Sequence, residues 1–427
     1  MPNTPTSQTF PLLADIRQQF ETREIADVGA AVRGELARAG VLARVRPGES
    51  VAVTAGSRGI DRIAEVTRAV CDAVRAAGGE PFVVPSMGSH GGATAEGQTA
   101  VLAALGMTEA SLGAPVRSSM DTVVLGTTAR GLKVHADRSA AGADHVIVVN
   151  RVKCHTKFKA EIESGLCKML AVGLAKHAGA TQAHRHAVRL GMAAIILDAA
   201  RMCLEKLPVL AGLGLVENGA GRLHTVRALA PEVLMDGEKE LLVLAKGLLP
   251  KLPFADIDLL IVDRIGKDVS GTGMDTNVTG RNRDILGDFT VTPRVARILV
   301  RGLTERTKGN ALGIGYADFT TDRLVAAMDY RATVTNALTG ISPEKAAIPV
   351  HFPTDRQAVA AALDSLGAWT AETVRVVRIR DTLHLARIQA SPALLRDLPA
   401  HAVQDGDPAP MDFGPDGNLT DIPLQDA

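Results

Sequence analysis

The sequence predicts an α/β protein of two α/β domains with the active-site cleft between them. Three observations carry this. Strand-like apolar runs alternate with amphipathic segments, the pattern of a parallel sheet covered by helices. Two early runs end in Gly-rich loops, and Pro250 with Pro253 interrupts the pattern before it starts afresh. The expected boundaries are 1–252 for the N-terminal domain and 253–397 for the C-terminal one, with the tail 398–427 packing back on the first.

The elements follow in order. After a polar lead and a short helix, Pro47-Gly48 marks a turn before an apolar strand over 51–54. Ile60, Ile63, Val66, Val70 and Val74 have helical spacing, closed by Gly78-Gly79. A strand over 81–85 leads into Ser86-Met87-Gly88-Ser89-His90-Gly91-Gly92, and a helix follows to about residue 105 with Thr94 as N-cap. Residues 123–127 and 132–135 read as a hairpin, and 145–149 as a buried strand running into a basic loop. A helix is expected over 192–204, strands over 212–218 and 223–229, and a helix over 231–249. Beyond Pro253 the pattern predicts a strand over 259–263, a long Gly-rich loop over 264–281, and helices near 293–303, 321–328 and 355–366. Strands over 374–379 and 383–388 come last, and the Asp/Pro/Gly-rich stretch from Gln404 is expected to be partly loose. Parallel α/β units bind ligands outside the carboxyl ends of their strands, so the Gly-rich loops fall on the functional edge.

Composition excludes several classes. The 427 residues carry 47 Lys+Arg against 47 Asp+Glu, so there is no basic excess for a polyanion partner. Aromatics at 3% offer few platforms for base stacking. The four cysteines show no C-x-x-C spacing, no apolar run approaches a membrane span, and the first residues lack a signal-peptide pattern. A cytoplasmic protein with neither nucleic acid nor membrane as partner is expected; the oligomeric state is not legible.

Seven of the eleven histidines lie between His90 and His186. Imidazole is the usual proton carrier near neutral pH and a common metal ligand. His90 stands in a Gly-rich loop at a strand end, and His155 follows the next buried strand. Lys168 lies in Ser164-Gly165-Leu166-Cys167-Lys168, a small and apolar surround that suits a nucleophilic or cofactor-anchoring amine, or a lysine reaching water. His184 and His186 point the same way only on a strand, so one of them serves as a ligand more readily than both. Arg58, beside Gly56-Ser57, suits a carboxylate or phosphate. Arg264 and Lys267 open the long loop of the second domain.

As a set, Gly56-Ser57-Arg58, Gly88-Ser89-His90, His155, Ser164-Gly165-Leu166-Cys167-Lys168, His184 and the Arg264/Lys267 pair occur in the order seen in the lactate racemase superfamily. The chain resembles these nickel-pincer nucleotide enzymes, which racemise or epimerise 2-hydroxy acids, over roughly residues 51–398. The resemblance implies His90 and His155 as alternating acid/base groups and a cofactor held covalently at Lys168. It implies His184 as the nickel ligand, and Arg58, Ser57, Gly165, Lys267 and Arg264 around the cofactor and substrate. The implied partners are a small 2-hydroxy acid and the proteins that build the cofactor and insert nickel.

The motifs depart from the lactate enzymes at three positions. Ala55 replaces an aspartate, Gly59 a proline and Arg264 a glutamine. Arg264 adds a cation suited to a second carboxylate, so a substrate other than lactate is expected. Two other readings remain: a metal-dependent hydrolase or lyase with His90, His155 and His184 as ligands, and a non-catalytic small-anion or nucleotide-binding protein of the same fold.

Overall fold

The computed structural model describes residues 9–57, 59–285 and 289–423. The fold is α/β, and the chain divides into two compact units, 21–249 and 250–427, the latter joined by residues 1–20. Among the described residues no helix is long and apolar enough to cross a membrane.

The first strand, β1 (Leu13–Gln18), belongs to the later unit. In the unit 21–249, helix α1 (Val28–Arg38) precedes β2 (Ser50–Ala55), α2 (Ile63–Ala76), β3 (Glu80–Pro85) and α3 (Ala95–Ala104). The predicted stripe on α2 is buried, because Ile63, Val66, Val70 and Val74 recur on one face and pack against the sheet. Thr94 caps α3, its hydroxyl accepting from Gly97 N at 3.0 Å. A short helix α4 (Glu109–Leu112), the hairpin of β4 (Thr122–Thr127) and β5 (Lys133–Asp137), and α5 (Arg138–Ala141) lead to β6 (His145–Arg151). Then come α6 (Leu166–Lys168), a π-helical turn over Met169–Gly173, α7 (Lys176–Leu190), α8 (Met192–Lys206), β7 (Val209–Glu217), β8 (Leu223–Leu229) and α9 (Leu234–Leu248). The sheet order is β3-β2-β6-β7-β8. Its first four strands are parallel and β8 is antiparallel to β7.

The unit 250–427 is built on β9 (Asp256–Val262), a short ladder of β10 (Arg281–Asn282) with β11 (Phe289–Thr290), β12 (Arg294–Val300), β13 (Phe319–Thr321), β14 (Val350–Phe352), β15 (Val376–Ile379), β16 (Arg387–Ala390) and β17 (Ala402–Ala409). Its main sheet runs β14-β13-β12-β9-β15-β16-β1-β17. The five strands from β14 to β15 are parallel; β15–β16, β16–β1 and β1–β17 are antiparallel. Alternate residues of β9 enter different cores, Leu260 and Val262 one, Leu259 and Ile261 the other. Burial on both faces makes such a strand an unbroken apolar run.

Four expectations are corrected. Residues 293–303 form a strand, not a helix: Arg294–Val300 pairs with β9, and its Val295, Ile298 and Val300 are β-branched and buried. The strand expected over 383–388 begins only at Arg387. The N-terminal residues up to Phe20 belong with the later unit, because β1 fills the place between β16 and β17 in its sheet. The described tail, expected on the N-terminal domain and partly loose, is held in the later unit: β17 pairs with β1, and Leu419–Ile422 is bonded to buried arginines and aspartates.

Candidate functional site

Because β3, β2 and β6 are neighbours and parallel, the loops at their carboxyl ends share one edge. Ser57 follows β2, His90 follows β3 and His155 follows β6. Ser86 N donates to Ala55 O at 2.7 Å, keeping the first two loops together at their roots. Ser57 Oγ and His90 Nδ1 are hydrogen-bonded. The His90 imidazole is exposed. Gly91 allows this loop shape in two ways: its φ is +65°, and a Cβ there would stand 2.5 Å from Gly97 C.

Beneath the loop lies a buried polar network that the motifs do not reveal. Gln98 Nε2 donates to Gly88 O at 2.9 Å and His90 O at 3.3 Å. Lys176 Nζ donates to Gln98 Oε1 at 3.2 Å and Pro85 O at 2.5 Å, and pairs with Asp137. Burial pulls the Lys176 pKa down, and Asp137 opposes the shift. The sole sequence mark of Lys176 is its position directly after the apolar run Met169–Ala175.

His155 is half-buried and stacked on Phe158, ring centroids 4.4 Å apart. Its backbone N–H donates to the buried Glu163 at 2.7 Å. Lys157 N donates to its Nδ1 at 3.0 Å, so the neutral ring carries its proton on Nε2. Desolvation, with Lys168, Lys157, Lys153 and Lys159 around it, holds the His155 pKa well below the ordinary value. The loop is locally cationic within a chain of zero net charge, and Lys168 is one of the charges His155 feels.

Lys168, half-buried, ends α6. The turn before it is pinned from behind. Asn150 Nδ2 donates to Gly165 O at 2.8 Å, and Cys167 N donates to Glu238 Oε2 at 2.7 Å. Gly165 is required by space, since a Cβ there would stand 2.2 Å from Glu238 Oε1. That oxygen is buried with no hydrogen-bond partner among the described residues, and burial raises the Glu238 pKa. Burial also pushes the Cys167 thiol up, so it stays protonated and serves as core.

His184 and His186 both lie on α7, so they diverge around a helix. His186 Nδ1 donates to Gln182 O at 3.0 Å, while His184 is half-buried on the helix that packs against the π-helical turn after Lys168. His145 is set apart from the site, bonded to Glu49 at 2.9 Å at the start of β6. Among the described residues no three His, Cys, Asp or Glu side chains gather as a metal site.

Arg58 lies outside the described residues. The other two predicted cations stand in the unit 250–427. Lys267 Nζ donates to Gly271 O at 3.0 Å and Asn336 Oδ1 at 3.2 Å. Arg264, read from the sequence as a cation suited to a second carboxylate, donates from Nε to the carboxylate of Asp421 at 2.6 Å.

Comparison with known proteins adds the following. Residues 56–240 match the model of a family described as a domain of unknown function, DUF362. No curated protein matches the chain. A crystal structure of a Thermotoga maritima protein from a structural-genomics programme is similar at 12% identity and a TM-score of 0.49, over 76% of this chain and 87% of that one. The lactate racemase apoprotein of Thermoanaerobacterium thermosaccharolyticum is similar at 13% identity and a TM-score of 0.46, over 89% of this chain and 86% of that one.

Proposed function

We propose that this protein racemises or epimerises a small 2-hydroxy acid other than lactate, with His90 and His155 as the acid/base groups and Lys168 as the anchor of a nickel-pincer nucleotide. The supporting observation is the strand order β3-β2-β6, which brings His90 and His155 to one sheet edge from opposite sides of β2. Inverting a carbon requires proton traffic at a hydroxyl presented in two orientations, and two imidazoles on different strands meet that need.

The residues fit such a group. Lys168 stands on a turn fixed by Gly165 and Glu238, and α7 offers His184 as a single imidazole, the donor count for a metal that arrives with ligands of its own. When bound, the group supplies a reversible acceptor for the hydrogen on the substrate's hydroxyl-bearing carbon. The rest falls to the chain. With Nδ1–H turned to Ser57 Oγ, His90 presents the lone pair of Nε2 and accepts the hydroxyl proton. His155 presents an Nε2–H that stabilises oxygen; to take a proton there, its ring must first move its own proton to Nδ1 and release Lys157 N. Lysines near His155 supply charge for the carboxylate.

The test is co-expression with the cofactor-synthesis and nickel-insertion proteins, followed by intact mass and metal content. A nickel-bearing adduct lost in Lys168→Ala is the expected result. An unmodified chain that carries zinc, or one that binds small anions with neither adduct nor metal, overturns the reading.

A further inference from the structure

The unit 250–427 has its own ligand edge, and the chain itself occupies it. From β9 the chain passes to β12, β13 and β14 on one side, then returns to β15 on the other. Connections that leave in opposite directions open a crevice at the carboxyl ends of β9 and β15, where sheets of this kind take ligands. The segment Leu419–Ile422 is bonded there. Arg378, in β15, donates to Thr420 O, Arg380 Nη1 donates to Ile422 O at 2.6 Å, and Ile422 N donates to Asp263 Oδ2, just beyond β9, at 2.9 Å.

Asp421 has the contacts of a bound anion. Its Oδ2 accepts from Arg264 Nε at 2.6 Å and its Oδ1 from Arg301 Nη1 at 3.1 Å. The two arginines differ in what they keep without it. Arg301 is buried and also pairs with Asp263 and Asp355. Arg264 has no other carboxylate among the described residues, only Leu303 O at 3.3 Å. The Arg264 and Asp421 side chains are 34% and 26% exposed, so a dissolved anion can reach the pair and compete for it.

We propose that this crevice is a binding site for a small dicarboxylate, and that Asp421 is its resident stand-in, which the ligand displaces. One carboxylate takes the place of Asp421 on Arg264 and Arg301. The second takes the donors that Arg378 and Arg380 now direct at main-chain carbonyls. Closure of the tail over the empty site then makes binding depend on its release. The proposal does not rest on the nickel-pincer reading, since its residues all lie in the unit 250–427 and its readout is binding.

Malonate binding, measured by calorimetry on the full chain, tests it. Asp421→Asn removes the competing charge while keeping the shape, and malonate should bind about tenfold more tightly than to the unaltered protein. Adding Arg264→Gln to that variant should abolish the gain. Unchanged malonate affinity in folded Asp421→Asn overturns the proposal, and a larger gain for inorganic phosphate than for malonate overturns the dicarboxylate assignment. Should the variant fail to fold, amide exchange on the unaltered protein decides: malonate should accelerate exchange at Leu419 and Ile422, and unchanged rates overturn the proposal.

Discussion

Lys176 Nζ lies 3.1 Å from Asp137 Oδ2, and both side chains are fully buried. The pair joins α7 to the end of β5, and through Pro85 O and Gln98 it supports the loop that carries His90. Breaking a buried pair from one side leaves the other charge without compensation. Lys176→Met should therefore cost about 3–5 kcal/mol. The double variant with Asp137→Asn should recover much of the loss, because Asn retains the acceptor for Ala140 N, which Asp137 Oδ1 caps at 2.9 Å. Urea unfolding of the single and double variants checks this.

His155 should lower stability on the acid side. Its folded pKa lies well below the ordinary imidazole value of about 6.5, so the unfolded state takes up a proton first as pH falls. Stability attributable to the neutral ring is full above about pH 6.5 and declines below it, down to the folded pKa. Nitrogen NMR of the ring should find His155 neutral at about pH 6, with its proton on Nε2. A ring charged at that pH, or one protonated on Nδ1, contradicts both the electrostatics and the bond from Lys157 N.

Glu238 behaves in the opposite sense. Burial raises its pKa above the unfolded value of 4.5, so its ionisation costs stability as pH rises through the folded pKa. Glu238→Gln keeps an acceptor for Cys167 N and cannot ionise. Its stability should exceed that of the unaltered protein near pH 8 and approach it near pH 4. Glu238→Ala should cost about 2–3 kcal/mol, from a buried N–H left without an acceptor and from the cavity. Gly165→Ala should destabilise by overlap with Glu238 Oε1, and Glu238→Ala should relieve part of that second loss, since the clashing oxygen is gone. Thermal unfolding across the pH range separates these outcomes.

The sequence by itself determined the α/β class and the strands that end at the candidate site, because parallel strands buried on both faces are unbroken apolar runs and α2 shows its stripe at helical spacing. It also placed Ser57, His90 and His155 in loops that follow strands, since glycines and strand ends are local signals. Tertiary structure decided the rest. Residues 293–303 satisfied a helical period and became a strand because β9 offered a parallel edge to β-branched side chains. Lys176, Asp137, Gln98 and Glu238 carry no motif; their roles exist only where burial removes water and makes each polar atom find a partner. Arg264 read as an available cation, and the structure joined it to Asp421, 157 residues away, because pairing between charges depends on distance in space and not along the chain.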